Sequence, residues 1–189
     1  KIKLDIALMP EHKKKESIDR QIKTLDSLIT NILLSDKMAS AYSNLKIEQI
    51  ELSLLIKKAL ELTSIKNVDL HLQKNTLLHV DIVKSSIAIK NLIENAFKYS
   101  PKNSLIVVEG GTINNEVVIS VLDQGAGIPE EQLEKITKAF VRIPGSKESG
   151  FGLGLSICNK VMAAHAGSLK IQSPAGGGAC FSLHFPIKK

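Results

Sequence analysis

Residues 91–99 read NLIENAFKY, residues 123–128 read DQGAGI and residues 150–157 read GFGLGLSI. Of the 12 glycines in the chain, 10 lie between Gly125 and Gly178. Glycines concentrated in one part of a chain indicate backbone that turns with positive φ or passes close to another group. The stretch at 150–157 runs into an apolar-periodic segment, so its N–H groups and the positive end of the following helix suit phosphate oxygens.

That glycine stretch differs from the common phosphate-binding loops. It does not follow a strand, as a dinucleotide-binding turn does, and no GxxxxGK[ST] pattern occurs in the chain. A surface loop is an equally ordinary reason for a glycine-rich helix start. The pattern therefore predicts either an anion site of another kind or a loop.

Two asparagines share one face of a helix predicted to begin after Asp81 and to end near Tyr99. Asn91 and Asn95 are four residues apart, and Lys98 follows three residues later. Asn is unfavourable inside a helix because its side chain competes with the backbone for hydrogen bonds. Carboxamide oxygens suit Mg²⁺, which favours sites shared with phosphates. The alternative is a pair of exposed asparagines that make local hydrogen bonds.

Two charged residues are further candidates for ligand contacts. Asp123 ends the alternating segment VVISVLD and precedes two glycines, so its carboxylate could accept a hydrogen bond from an exocyclic amine in a pocket. A turn-forming Asp is the alternative. Arg142, in FVR, suits bidentate binding of phosphate, or it is a solvated loop charge.

Composition excludes several classes of function. The 189 residues carry a formal net charge of +6, spread along the chain, and only 7 aromatic residues with no Trp, which argues against nucleic-acid binding. No run of eighteen apolar residues is present, so no membrane span is predicted. Cys158 and Cys180 form no spaced framework and are interpreted as buried, reduced thiols.

The periodicities predict an α+β fold, a two-layer α/β sandwich of three helices over one mixed sheet, preceded by an α-helical hairpin. The hairpin is predicted from residues 1–9 and from 16–39, where apolar residues alternate at spacings of four and three. We place this partial helical hairpin at residues 1–42 and the main domain at 43–189. Helices are predicted at 52–64, 81–99 and 153–166, and strands at 67–73, 77–80, 104–110, 116–122, 169–173 and 180–185.

The order NLIENAFKYSP, DQGAGI, FVR, GFGLGLSI, GGGACF resembles the catalytic and ATP-binding domain of sensor histidine kinases, which has the histidine-kinase/gyrase-type ATP-binding fold. The resemblance implies transfer of the ATP γ-phosphoryl group to a histidine on the dimerisation helix, for relay to a response-regulator aspartate. It also implies ATP and Mg²⁺ as ligands, a receiver domain as partner, a homodimer through the hairpin, and a cytoplasmic domain of a parent in the cytoplasmic membrane.

The resemblance also implies roles for individual residues. Asn91 and Asn95 would hold Mg²⁺, and the catalytic set would be Asn91, Lys98 and Arg142. The segment from Gly127 to Gly152 would be a lid over ATP, anchored by Phe140, with Gly176 at the pocket floor. The nucleotide would contact Asn95, Tyr99, Asp123, Gly125, Gly127, Ile128, Gly150, Gly152, Leu153, Gly154, Leu155 and Gly178.

Three departures from the family pattern stand out. Ala179 replaces a usual Thr and Ala126 replaces a frequent Pro. No H-E-L-R-T-P-like box is present, and none of the five histidines fits the acceptor. We therefore expect the phosphoacceptor helix to precede Lys1, and this chain not to phosphorylate itself.

Two other classes remain open on the same motifs. Type II topoisomerases, mismatch-repair ATPases and heat-shock chaperones share the fold and hydrolyse nucleotide, with Glu as general base where this chain has Asn91. The Asn favours phosphoryl transfer over a hydrolysing conformational switch. A binding module with a vestigial pocket is the third alternative, and the intact motifs argue against it.

Overall fold

The computed structural model describes residues 18, 45–142, 151–174 and 177–187. The predicted helical hairpin, apart from Ile18, lies outside the described residues, and so does the proposed domain boundary at 42/43. Gly150 and Gly176 also lie outside them, together with the part of the predicted lid between residues 143 and 150.

Seven strands and four α-helices make up the described part of the chain. The strands are β1 (Ile47–Glu51), β2 (Val68–Leu72), β3 (Leu77–Asp81), β4 (Ile106–Ile113), β5 (Glu116–Leu122), β6 (Ser168–Gln172) and β7 (Cys180–Pro186). The helices are α1 (Leu52–Glu61), α2 (Ile82–Tyr99), α3 (Glu130–Leu133) and α4 (Gly154–Ala164), with a 3₁₀ turn at Lys135–Thr137.

The main sheet has five strands in the order β2-β4-β5-β7-β6. Only β2 and β4 pair in parallel, and the other neighbours are antiparallel, so the sheet is mixed as predicted. The predicted α+β sandwich is confirmed. The prediction of a single sheet is wrong, because β1 and β3 form a separate antiparallel pair in which Ile47 lies opposite Asp81.

The first strand of the β4–β5 hairpin ends at Ile113, three residues later than the predicted end at residue 110. Gly110 and Gly111 continue the strand, and the turn falls at Asn114 and Asn115, both with positive φ. Asn tolerates this left-handed backbone better than most residues. A side chain at Gly110 would lie 2.9 Å from the Leu52 side chain, so glycine there serves close packing between the sheet and α1.

The long helices are shorter than predicted at their ends. α1 ends at Glu61 rather than 64, and α4 covers 154–164 rather than 153–166. α4 ends where the backbone reverses at Ala166, which has a φ of 55°, and Gly167 N–H bonds back to Met162 O at 2.8 Å. These helix ends place β6 directly after α4.

One hydrophobic core lies between the main sheet and the three long helices. Its fully buried side chains come from α1, α2, α4 and the inward positions of the sheet: Leu52, Leu55, Ile56, Ile89, Leu92, Ile93, Ile106, Ile119, Ile157, Met162 and Leu183. Both cysteines are free thiols; Cys158 is fully buried, which raises its pKa to about 12, and Cys180 is partly exposed. Among the described helices, none is both long and apolar enough to cross a membrane.

Asp81 starts α2 as the sequence predicts. Its Oδ1 accepts a hydrogen bond from Lys84 N at 3.0 Å, which caps the helix, and its Oδ2 accepts one from Lys46 N at 3.2 Å. Burial alone would raise the pKa of Asp81, but these N–H groups and the Lys84 ammonium hold the pKa below its usual value. The ionised cap fixes the first turn of the helix that carries Asn91 and Asn95.

Candidate functional site

The Asp123 carboxylate has one oxygen fixed by the backbone and one oxygen open. Oδ1 accepts hydrogen bonds from Gly125 N at 2.8 Å and from Ala179 N at 3.0 Å. Among the described residues no donor bonds to Oδ2. Burial raises the pKa of Asp123, and the two backbone N–H groups offset part of that rise. The site therefore presents a half-buried acceptor in a fixed direction.

Three chain segments meet at this carboxylate. The loop after β5 and the loop before β7 are joined by Asp123 N to Ala179 O at 2.9 Å and by Gly178 N to Gly125 O at 2.7 Å. Gln124 N donates to Ser100 Oγ at 3.1 Å, which ties the same loop to the end of α2. Four residues around the predicted nucleotide pocket are thus held by main-chain hydrogen bonds, and the Ser100 side chain holds a fifth.

Two glycines are required by this close approach. A Cβ at Gly125 would lie 2.7 Å from Tyr99 O and 3.0 Å from Asp123 Oδ1. A Cβ at Gly178, whose φ is +76°, would lie 2.6 Å from Asp123 O. Any side chain at these positions would push the loops apart, since real Cβ atoms do not approach backbone this closely.

Ser173 is a site residue that the sequence analysis missed. Its hydroxyl accepts a hydrogen bond from Ile128 N at 2.7 Å and donates one to Gly178 O at 3.0 Å. It therefore connects the start of the predicted lid, beside Gly127, to the loop before β7. The only sequence signal was its position at the end of the predicted strand 169–173 and before Pro174.

The two asparagines of α2 face the start of α4. Asn91 is buried, and its Nδ2 lies 3.5 Å from Gly154 O. A Cβ added at Gly154 would lie 3.8 Å from Asn91 Cβ and 3.9 Å from Asn95 Nδ2. Among the described residues, no donor bonds to the carboxamide oxygen of Asn91, and the Asn95 side chain has no hydrogen bond. Two open carboxamide oxygens therefore adjoin the first turn of α4.

The first turn of α4 has no side-chain cap. Leu153 is buried in the core, and Leu155 packs against the core, so the backbone rather than these side chains faces the asparagines. Uncapped N–H groups at a helix start attract anions. The arrangement suits phosphate oxygens next to a cation held by carboxamides.

The C-terminal end of the predicted lid, at Gly152, lies close to the middle of the lid. Phe140 N donates to Gly152 O at 2.9 Å, and a Cβ at Gly152 would lie 2.5 Å from Val141 O. Phe140, the expected anchor of the lid, is 68% exposed and makes this connection through its backbone. Arg142 is exposed and directly precedes the undescribed residues 143–150.

Lys98 and Tyr99 contact each other. Lys98 Nζ donates to the Tyr99 hydroxyl at 3.2 Å and lies 4.7 Å from the centre of its ring. The structure therefore places Tyr99 backbone against the Asp123 loop, while its ring pairs with Lys98 near the surface. Among the described residues, neither side chain forms a hydrogen bond with Asn91 or Asn95.

Glu94, the carboxylate nearest to the asparagines in sequence, is already paired. Glu94 Oε2 lies 2.7 Å from Lys90 Nζ, one turn earlier on α2. Among the described residues, His, Cys, Asp and Glu form no cluster of three that could hold a metal ion. A cation at this site would thus depend on carboxamide and phosphate oxygens.

Comparison with known proteins identifies the family. The model of the family described as histidine kinase-, DNA gyrase B- and HSP90-like ATPase matches residues 81–189, more than half of the chain. The chain belongs to this family. It contains the ATP-binding catalytic domain of a sensor histidine kinase.

Named relatives and solved structures are consistent with this domain. The chain is 30% identical over 188 residues to the adaptive-response sensory kinase SasA of Synechococcus sp. (strain JA-3-3Ab), covering 91% of this chain and 48% of that protein. It is 40% identical over 98 residues to sporulation kinase C of Bacillus subtilis (strain 168), covering 52% and 22%. The catalytic domain of histidine kinase ThkA superposes with a TM-score of 0.65 at 27% identity, covering 75% of this chain and 96% of that one. The chain spans about half, or less, of the length of the curated relatives that it matches.

Substitution of Ser173 tests whether its hydroxyl holds the kinase-domain pocket together. Ser173→Ala leaves Ile128 N–H without an acceptor, which costs about 1–3 kcal/mol locally. We expect the Ile128 amide to exchange roughly 5- to 150-fold faster in hydrogen-exchange NMR, while amides of β5 keep their rates. Ser53→Ala, on the exposed face of α1, is the matched control. Unchanged exchange at Ile128 would contradict this role for Ser173.

Proposed function

We propose that the chain binds Mg²⁺-ATP and transfers its γ-phosphoryl group to a histidine of a dimerisation helix, for relay to an aspartate of a response-regulator receiver domain. The histidine nitrogen forms a bond to the γ-phosphorus as the bond to the β-phosphate oxygen breaks, and ADP leaves. The single observation that carries the proposal is the Asp123 carboxylate, with its fixed Oδ1 and open Oδ2.

Asp123 selects adenine in this proposal. An ionised Oδ2 accepts a hydrogen bond from the exocyclic amino group, while Gly125, Gly127, Ile128 and Gly178 allow the ring to lie against backbone. A base with a carbonyl oxygen at the same place would put two acceptors together and leave both without a donor.

The phosphate end of the site is proposed to lie between α2 and α4. Asn91 and Asn95 would hold Mg²⁺ through their open carboxamide oxygens, and the backbone at Gly152, Leu153, Gly154 and Leu155 would meet phosphate oxygens. These donors fit the ion, because Mg²⁺ takes a few oxygen ligands together with substrate phosphates. When bound, the ion supplies charge neutralisation of the phosphates.

α2 connects the two ends of the proposed site. From Asn95 to Tyr99 the helix rises about 6 Å, and the next residue, Ser100, is bonded to Gln124 of the Asp123 loop. A single rigid helix thus sets the distance between the adenine end and the phosphate end. Catalysis of phosphoryl transfer depends mostly on such positioning and on charge neutralisation.

The remaining assignments rest on the family. Lys98 is proposed to give up its contacts with Tyr99 and to bind phosphate instead. Arg142 is proposed to bind phosphate as well, and Gly150 is proposed to line the same region. The homodimer through the hairpin, the receiver-domain partner and a parent in the cytoplasmic membrane are supported by the kinase family alone.

A nucleotide-hydrolysing switch is the second candidate. It needs a general base near the attacking water, and position 91 offers a carboxamide, while Glu94 is paired with Lys90 at 2.7 Å. A carboxamide takes up no proton at neutral pH. This observation favours transfer to a protein acceptor over hydrolysis.

Asp123→Asn is the direct test of adenine binding. The amide oxygen must take the place of Oδ1, since two backbone N–H groups point there, so the amide NH₂ meets the adenine amino group. We expect affinity for an ATP analogue to fall roughly 5- to 150-fold by calorimetry, a cost of about 1–3 kcal/mol. Asp69→Asn, on β2, is the matched control. Equal affinity of Asp123→Asn and the parent chain would refute the adenine assignment.

Asn95→Ala tests the metal assignment. The change removes an open carboxamide, so the ratio of analogue affinities with Mg²⁺ and with EDTA should fall toward one, while the affinity in EDTA stays near the parent value. Asn159→Ala, on the exposed face of α4, should leave the ratio unchanged. An unchanged ratio in Asn95→Ala would contradict the metal site.

Asn91→Glu distinguishes transfer from hydrolysis. Incubated with γ-labelled ATP, the parent chain should release phosphate slowly and give acid-labile label on a separately supplied polypeptide that carries the histidine helix. A carboxylate at position 91 should raise phosphate release by roughly tenfold or more, because it supplies the missing base. Fast phosphate release by the parent chain would favour the hydrolysing switch.

A further inference from the structure

α2 and α4 run antiparallel and are joined by three side-chain hydrogen bonds. At one end Asp81 N donates to His165 Nε2 at 2.9 Å, in the middle Cys158 Sγ donates to Ala88 O at 3.3 Å, and at the other end Asn91 Nδ2 donates to Gly154 O at 3.5 Å. Seven residues separate the first two contacts on both helices. We call these three contacts the α2–α4 ladder.

His165 forms the shortest contact of the ladder and is held on both sides of its ring. Because Asp81 N–H can only donate, Nε2 is the acceptor and the proton lies on Nδ1, which donates to Val161 O at 2.8 Å. The ring is 5% exposed and meets Phe185 edge-on, with 5.7 Å between ring centres. Its orientation is therefore fixed by two hydrogen bonds and by packing.

The opposite end of the ladder is the proposed phosphate end of the nucleotide site. There the hydrogen bond from Asn91 to Gly154 is long, at 3.5 Å. It is too weak to fix the position of α4 along α2. Ten residues of helix, about 15 Å, separate Asp81 from Asn91. Helices packed in a close-packed core move as units, so the register set at His165 reaches Gly154.

We propose that His165 is a positioning residue for the Mg²⁺-phosphate site. Through its hydrogen bond to Asp81 N it fixes the register of α4 against α2, and thereby the spacing of Gly154 from the Asn91 and Asn95 carboxamides. The proposal rests on the proposed function of that site. It gives the buried histidine a part in the reaction although it touches no substrate.

Two amide substitutions distinguish the effects of the two hydrogen bonds that His165 makes. In His165→Gln the side-chain oxygen reaches the position of Nε2 and keeps the bond to Asp81 N. In His165→Asn the shorter amide reaches only the position of Nδ1 and keeps the bond to Val161 O. The two variants thus differ in whether α4 stays tied to α2, while each retains one buried polar contact.

The measurement is the affinity for a non-hydrolysable ATP analogue with Mg²⁺ and with EDTA, on chains whose folding is checked by thermal melting. The Mg²⁺-dependent gain is the ratio of the affinity with Mg²⁺ to the affinity with EDTA. We expect His165→Asn to lower this ratio roughly tenfold, since small misplacements at a phosphate site are costly. We expect His165→Gln to keep it. Val108→Ala, in the core on β4, controls for lost stability alone and should keep the gain.

Each outcome bears on the proposal. Equal gains in His165→Asn and His165→Gln would overturn it. If His165→Asn does not fold, His165→Leu takes its place, because this buried apolar side chain cannot accept from Asp81 N, and an unchanged gain there would overturn the proposal. A parent chain that binds the analogue without any Mg²⁺-dependent gain would refute the proposed metal site, which is a different failure.

Discussion

The pair of backbone hydrogen bonds on Asp123 Oδ1 is the constraint on which the site depends. Gly125 N and Ala179 N can reach one oxygen only if the loop after β5 and the loop before β7 lie side by side. That approach requires glycine at 125 and 178 and brings the Ser173 hydroxyl between the loops. The other carboxylate oxygen accepts no hydrogen bond from the described residues, so in the proposed function it is available to the adenine amino group.

A second constraint comes from α2, which forms one wall of the site from end to end. It is anchored at its start by the ionised Asp81 cap and at its end by Ser100, which accepts from Gln124 N. Between these anchors its buried face packs in the core, so Asn91 and Asn95 are carried on an element that cannot shift alone. In the proposed function, position 91 also decides the chemistry, since a carboxamide there offers a ligand oxygen and no base.

The features that the sequence predicted are those with a strong local cause. Asp81 followed by an amphipathic segment predicted α2, and the family resemblance carried by the order of the five motifs implied the fold. The failures involve non-local causes. β1 was missed because only Ile50 of IEQIE is buried, and Ser173 was missed because its partners Ile128 and Gly178 are brought to it only by the sheet.

A crystal structure of the chain with a non-hydrolysable ATP analogue and Mg²⁺ tests the central claim most directly. The account predicts the adenine amino group at about 2.9 Å from Asp123 Oδ2, with Oδ1 still bonded to the two backbone N–H groups, and the phosphates between the asparagines and Gly154. An adenine ring that lies elsewhere, or a nucleotide whose amino group bonds to a group other than Asp123, would contradict it.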